Sequence, residues 1–187
     1  MIDAVVFDLD GVIIDSEQLW DEVREGLARE RGGHWSEQAQ ADMMGMSSTE
    51  WSRYLHEAVG LAEPPEEINR EVVRRMLDRY SERLPLIDGA DDAVKRLAAH
   101  WPLGVASSSN RELIDRVLEV SGLAPYFKAT VSSEEVERVV SVTIDGIVRV
   151  FSIRGSPDFL ASHRFITTSH RPSRNDLPVQ TLRVGWW

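Results

Sequence analysis

The chain has 187 residues, 42% of them apolar, enough for one sizeable core with an inserted subdomain but not for two large independent domains. Its formal charge of −10 disfavours nucleic acid and anionic membranes and leaves small ligands as the expected partners. There is no cysteine, so disulfides and thiolate metal sites are excluded; no apolar run approaches the roughly 18 residues of a membrane span, and acidic Asp3 stands where a leader would be basic, so a cytoplasmic location is the expectation.

Residues 2 to 8 read as a buried strand, whose apolar run from Ala4 to Phe7 opens into Asp8, Leu9, Asp10 and Gly11. A strand points residues i and i+2 the same way, so Asp8 and Asp10 can converge on one reacting group at its exit. Behind Ser16, an expected N-cap, Leu19, Trp20, Val23 and Leu27 recur at helical spacing. Ser47 and Glu50 form a capping-box pattern ahead of a helix with Trp51, Leu55, Ala58 and Val59 on one face. Pro64 and Pro65 open another, with Ile68, Val72, Met76, Tyr80 and Leu84 at spacing four and Pro85 as its stop. Residues 16 to 84 therefore read as all-helical.

Ala90 to Ala99 then form a predicted short helix and Leu103 to Ser107 a strand. Asn110 to Ser121 read as a helix begun by a Ser109/Glu112 box and stopped by Gly122, and Phe127 to Val131 as a further strand. Such alternation is an α/β pattern, whose ligand site belongs at the carboxyl ends of parallel strands, where Asp8 and Ser107 both lie. Trp20, Trp51 and Met76 fall on apolar helix faces and read as core, while Arg53, Arg74 and Arg75 read as solvated.

A break follows near residue 138. Residues 1–138 hold 28 acidic and 15 basic side chains, whereas residues 139–187 hold 3 and 6. No lysine follows Lys128 and no glutamate follows Glu137. Val139 to Ile144 and Ile147 to Ile153 flank Asp145-Gly146 and read as a hairpin; residues 152 to 178, crowded with Ser, Thr, His, Arg and Pro, read as loop or disorder. His163 and His170, in unpatterned sequence, are not read as metal ligands. A reading-frame shift that replaced the C-terminal third is the expected cause of the break.

Asp8-Leu9-Asp10-Gly11-Val12-Ile13-Ile14-Asp15-Ser16, supported by Pro85-Leu86-Ile87-Asp88-Gly89-Ala90 and Ala106-Ser107-Ser108-Ser109-Asn110, resembles the haloacid dehalogenase-like (HAD) superfamily. The branch is that of small phosphatases and sugar-phosphate mutases, including beta-phosphoglucomutase. The resemblance covers residues 1 to about 138 and implies a Rossmann-like parallel-sheet core from 1–14 and 86–138, an all-helical cap at 15–85, and a divergent tail at 139–187.

It further implies a phosphatase of small phosphorylated metabolites that works through an aspartyl-phosphate. Asp8 corresponds to the nucleophile, Asp10 to the general acid and base, Ser107 to the hydroxyl that holds the transferred phosphoryl group, and Ser108 and Asn110 to additional donors. The family's Mg²⁺ would be held by Asp8, by the backbone carbonyl of Asp10 and by an acid from a later strand, beside a lysine. Neither the lysine nor the later acidic pair has a counterpart after Arg138, so an impaired enzyme is expected, with a noncatalytic ligand binder as the competing reading. Ser48 stands where the mutases carry an arginine, which favours a phosphatase over a mutase.

Overall fold

The computed structural model describes residues 4–135, together with three later strands at Val139–Ile144, Ile147–Ser152 and Phe165–Thr168. Strand β1 (Ala4–Phe7) is followed by four helices: α1 (Glu17–Glu30), α2 (Glu37–Asp42), α3 (Ser48–Glu57) and α4 (Pro65–Glu82). Next come α5 (Ala90–Ala98), β2 (Leu103–Ser107), α6 (Arg111–Val120) and β3 (Phe127–Ser132); the later strands are β4, β5 and β6 in chain order. One parallel sheet runs in the order β3-β2-β1-β6, and β4 pairs antiparallel with β5. This is the α/β, Rossmann-like core with an inserted helical cap that the sequence predicts. The hairpin is also as expected in its strands, while Asp145 and Gly146 lie outside the described residues.

Buried strands in parallel sheets read as continuous apolar runs because helices cover both faces. Ala4, Val5 and Phe7 of β1 and Leu103, Val105 and Ala106 of β2 are accordingly buried. Phe7 pairs in register with Val105 on one side and with Thr168 on the other, so β1 lies inside the sheet and its exit opens at the carboxyl edge. The segment that includes β6 had been expected as loop or disorder; a four-residue strand held by pairing to β1 has no local signature long enough to announce it.

Beyond β1 the chain turns on Gly11, whose φ of 75° lies in the left-handed region that glycine enters without a Cβ clash. The turn buries Leu9, Ile13 and Ile14 completely and leaves the alternate residues Asp8 and Asp10 partly open. Chain entry to the helical insertion runs beside its exit: Asp15 N–H donates to Pro85 O (2.8 Å), Ile87 N–H to Ile13 O (3.0 Å), and Ile14 bridges Leu86. These bonds seat the helices over the strand ends.

Within the insertion, Ile68, Val72, Met76 and Tyr80 form the buried stripe of α4, facing Trp51 and Leu55 of α3 and Trp20, Val23 and Leu27 of α1. Each such side chain stabilises the fold by about 1.5–3 kcal/mol through burial. Ser47 and Glu50 close their capping box, the carboxylate accepting from both the Ser47 N–H (2.8 Å) and its hydroxyl (2.7 Å). Gly33 permits a close approach, since a Cβ there would sit 2.9 Å from Leu61 Cδ2 and 3.2 Å from Val59 O. Among the described residues no helix is long and apolar enough to cross a membrane.

Two capping expectations are corrected. Ser16 occupies the N-cap position of α1, but its hydroxyl makes no cap bond and donates to Asp10 instead. The Ser109/Glu112 box does not form: Asn110 is the N-cap of α6, and the Ser109 hydroxyl also donates to Asp10. In both places the hydroxyl proton goes to the Asp10 carboxylate, a charge-assisted bond of the stronger kind, and the hydroxyl oxygen makes no cap bond.

Candidate active site

Asp8 follows the last residue of β1 and accepts a 2.7 Å hydrogen bond on Oδ1 from the Leu9 N–H. Asp10 is the hub of the site. Its Oδ1 accepts from the Ser16 hydroxyl and from the Trp20 indole N–H (3.2 Å); its Oδ2 accepts from Ser109 (2.6 Å) and Ser107 (3.4 Å). Four donors thus fix one carboxylate, from α1 on one side and from the exit of β2 on the other. The β2 exit is itself pinned by β3, because Ser132 Oγ donates to Ser109 O (2.7 Å) and Ser133 Oγ to Ser108 O (3.0 Å).

Above these groups lies a cavity of about 200 Å³, lined by Asp8, Asp10 and Ser108 below and by Trp20, Arg24 and Trp51 above. Met43, Met44 and Met46 complete one wall, and Glu17 and Asp21 stand at the α1 side. Burial raises the Asp21 carboxyl above its usual range, and Arg24 acts against that rise. Arg24 is the single basic residue lining this cavity among the described residues. It is 7% exposed, and its Cζ lies 4.6 Å from the ring centroid of Trp20 and 4.9 Å from that of Trp51. Burial pushes its guanidinium down to about 10, with Asp21 and Asp10 opposing, so it is charged at neutral pH.

The structure brings Asp8, Asp10 and Ser108 to the cavity and sets Ser107 directly against Asp10. It does not bring Asn110 there. The Asn110 amide donates to Glu134 (2.6 Å) and Asn69 (3.1 Å), and Glu134 also accepts from Ser48 (3.0 Å) and from the Arg111 N–H (3.0 Å). This knot ties the helical insertion to the start of α6. Ser109, Trp20 and Arg24 were missed as site residues. Trp20 is buried as expected of a core residue, yet its N–H reaches Asp10. Arg24 had a legible signal, since it lies four residues after Trp20 on the stripe that also buries Leu27 and Ala28.

The oxygen donors of Asp8 and Asp10 are of the type that magnesium takes. By themselves they do not make a complete magnesium centre, because no cluster of three His, Cys, Asp or Glu suited to a metal occurs among the described residues.

The sequence model of the haloacid dehalogenase-like hydrolase family matches residues 5–145. The chain belongs to this family. Among its HAD relatives, a phosphorylated carbohydrates phosphatase of Thermotoga maritima is 28% identical over 138 residues, which cover 73% of this chain and 63% of the relative. The chain therefore spans about three fifths of that protein. Two solved structures share the fold. The beta-phosphoglucomutase of Clostridium difficile has 20% identity and a TM-score of 0.63, covering 74% of this chain and 65% of that one. The HAD-hydrolase YfnB of Bacillus subtilis, described as bound to magnesium, has 20% identity and a TM-score of 0.55, covering 72% and 66%.

Proposed function

We propose that this chain carries the chemistry of a phosphatase acting on small phosphorylated metabolites, sugar phosphates foremost. The observation that carries the reading is the meeting of Asp8, Asp10 and Ser108 at two adjacent strand exits under one cavity. A relative supports it, being named as a phosphatase of phosphorylated carbohydrates.

In this reading an Asp8 oxygen attacks phosphorus, the bond to the substrate oxygen breaks, and the departing alkoxide takes a proton from Asp10. Water then attacks the aspartyl-phosphate as Asp10 takes its proton, releasing inorganic phosphate and restoring Asp8. Trp20, Ser16, Ser107 and Ser109 hold the Asp10 carboxylate in place for both transfers. Ser107 and Ser108 supply hydroxyls beside the phosphoryl site. Asp8 and the Asp10 carbonyl are the two residues of the family pattern in this chain that would hold magnesium, whose charge would offset that of the phosphoryl group. Ser48 is buried and bonded to Glu134, where a mutase would present an arginine, so hydrolysis is favoured over transfer.

Loss of one preorganised electrostatic contact costs about 10²- to 10³-fold in rate, and such losses do not simply multiply. A drop of at least several hundredfold, relative to a relative with the lysine and the third acid, is therefore expected. An aryl phosphate assay with and without MgCl₂ tests the reading: turnover that disappears in Asp8→Asn upholds it. A second reading, a noncatalytic binder of phosphorylated ligands, is favoured by the lack of any lysine after Lys128. A folded protein with no turnover upholds that one. Translating the gene in its other two frames after codon 138 checks the origin of the break, and a Gly-Lys-Pro segment followed by an acidic pair is the expected find.

A further inference from the structure

Arg24 is an expensive residue to leave as it stands. A guanidinium removed from water needs counter-charge or hydrogen-bond acceptors, and Arg24 is buried with its Nε lacking any partner. No salt bridge to it is found among the described residues. Asp21, whose charge it feels, is hydrogen-bonded by the Gln40 amide instead. The two tryptophans do not resolve this. Their rings, 6.0 Å apart, cover the guanidinium through cation–π contact, which satisfies its faces. The N–H donors lie in the guanidinium plane rather than over its faces, in the fork geometry that suits a carboxylate or phosphate, and the buried Nε among them has no partner.

Placement says which part of a ligand this fork would meet. Trp20 touches both Asp10, through its indole N–H, and Arg24, through its ring, so a single side chain links them. Asp8 and Ser108 lie on the strand side of the cavity. In the proposed reaction Asp10 serves the leaving oxygen, so what extends past Asp10 toward α1 is the alcohol part of the substrate. Four acidic residues, Asp8, Asp10, Glu17 and Asp21, line the same cavity, and Arg24 is what makes its roof hospitable to an anion.

We infer that Arg24, clamped between Trp20 and Trp51, binds a second anionic group on the alcohol part of the substrate, so that this chain prefers phosphate monoesters bearing a carboxylate or another phosphate over neutral phosphorylated sugars. The inference rests on the phosphatase reading of the same cavity. It makes Arg24 a specificity residue and leaves Asp8 and Asp10 their roles.

Calorimetric binding to the full-length chain tests it without requiring turnover, with three probes: glycerol 3-phosphate, 3-phosphoglycerate and propane-1,3-diol bisphosphate. The wild type is expected to bind at least one of the doubly anionic probes roughly ten- to hundredfold more tightly than glycerol 3-phosphate, the range of a charge-assisted hydrogen bond. Which of the two it prefers distinguishes a carboxylate site from a phosphate site. Arg24→Gln should erase the preference while leaving glycerol 3-phosphate affinity in place, and Arg24→Lys should restore part of it. Equal wild-type affinity for all three probes overturns the inference and spares the phosphatase reading, as does an Arg24→Gln variant that retains the preference or weakens all three probes alike. No binding of any probe by the wild type overturns both. The wild-type comparison decides the matter even where Arg24→Gln fails to fold.

Discussion

At the floor of the cavity the partly open Asp10 accepts hydrogen bonds from four side chains, whereas at its roof the buried Arg24 has an Nε with no partner. The floor is self-sufficient: its polar groups are held by α1, β2 and β3 before any ligand arrives. The roof is incomplete and would be finished by a ligand. The contrast separates groups that do chemistry, which profit from being preorganised, from groups that choose a substrate, which profit from being unsatisfied until it binds.

Asp8→Asn attacks the floor where it matters most: aryl phosphate turnover should fall by roughly 10³-fold or more, with the circular dichroism spectrum unchanged, because a neutral amide is a poor nucleophile. Retained turnover would remove Asp8 from the reaction. A change in the packing beneath the roof tests stability rather than chemistry. Met76→Ala empties a fully buried site on α4 and should destabilise the protein by about 2–5 kcal/mol in urea unfolding. A cost near zero would mean that the helical insertion contributes little to the cooperative fold.

Ser109→Ala deletes one of the four donors to Asp10 and should lower turnover roughly tenfold without altering the preference among anionic probes. If it changes that preference, floor and roof are not separable. The smallest effect concerns acid. Hydrogen bonding from Arg74, joined by Arg75, holds the Glu71 carboxyl down to about 2, from an ordinary 4.5. A carboxyl whose value is depressed by folding contributes stability that is complete above 4.5 and is lost as pH falls toward about 2. Helix content followed between these values should show that loss in the wild type and less of it in Glu71→Gln. The change is small because these pairs face water and are screened by salt.

Elements whose signal is local were legible in the sequence. Strand β2 runs over Leu103–Ser107 as predicted, and the buried stripe Ile68, Val72, Met76, Tyr80 follows from spacing alone. Asp8 and Asp10 were legible as a pair because strand alternation fixes their relation. The contacts of Ser16 and Ser109 were not, since both obey helix-start rules until Asp10 is folded against them from 6 and 99 residues away. The contacts of Asn110 were hidden for the same reason: its amide is drawn to Glu134, which only the docking of β3 beside β2 brings near. A charge on a helix is ordinarily solvated, which hides Arg24. Its position on the buried stripe carried the opposite message.

The paired crossings at Ile13–Asp15 and Pro85–Ile87 have one more consequence. A segment whose two ends are hydrogen-bonded neighbours asks almost nothing of the chain that hosts it, because the entropy of closing the excursion is set by its ends and grows only slowly with what lies between them. The four helices are in this sense a detachable module. Beyond Ser16 and Trp20, which hold Asp10, their length and sequence can drift while the register of β1 against β2 is kept and Asp8 stays at the strand exit. Evolution can then rewrite much of what is recognised while the start of α1 keeps its hold on what reacts.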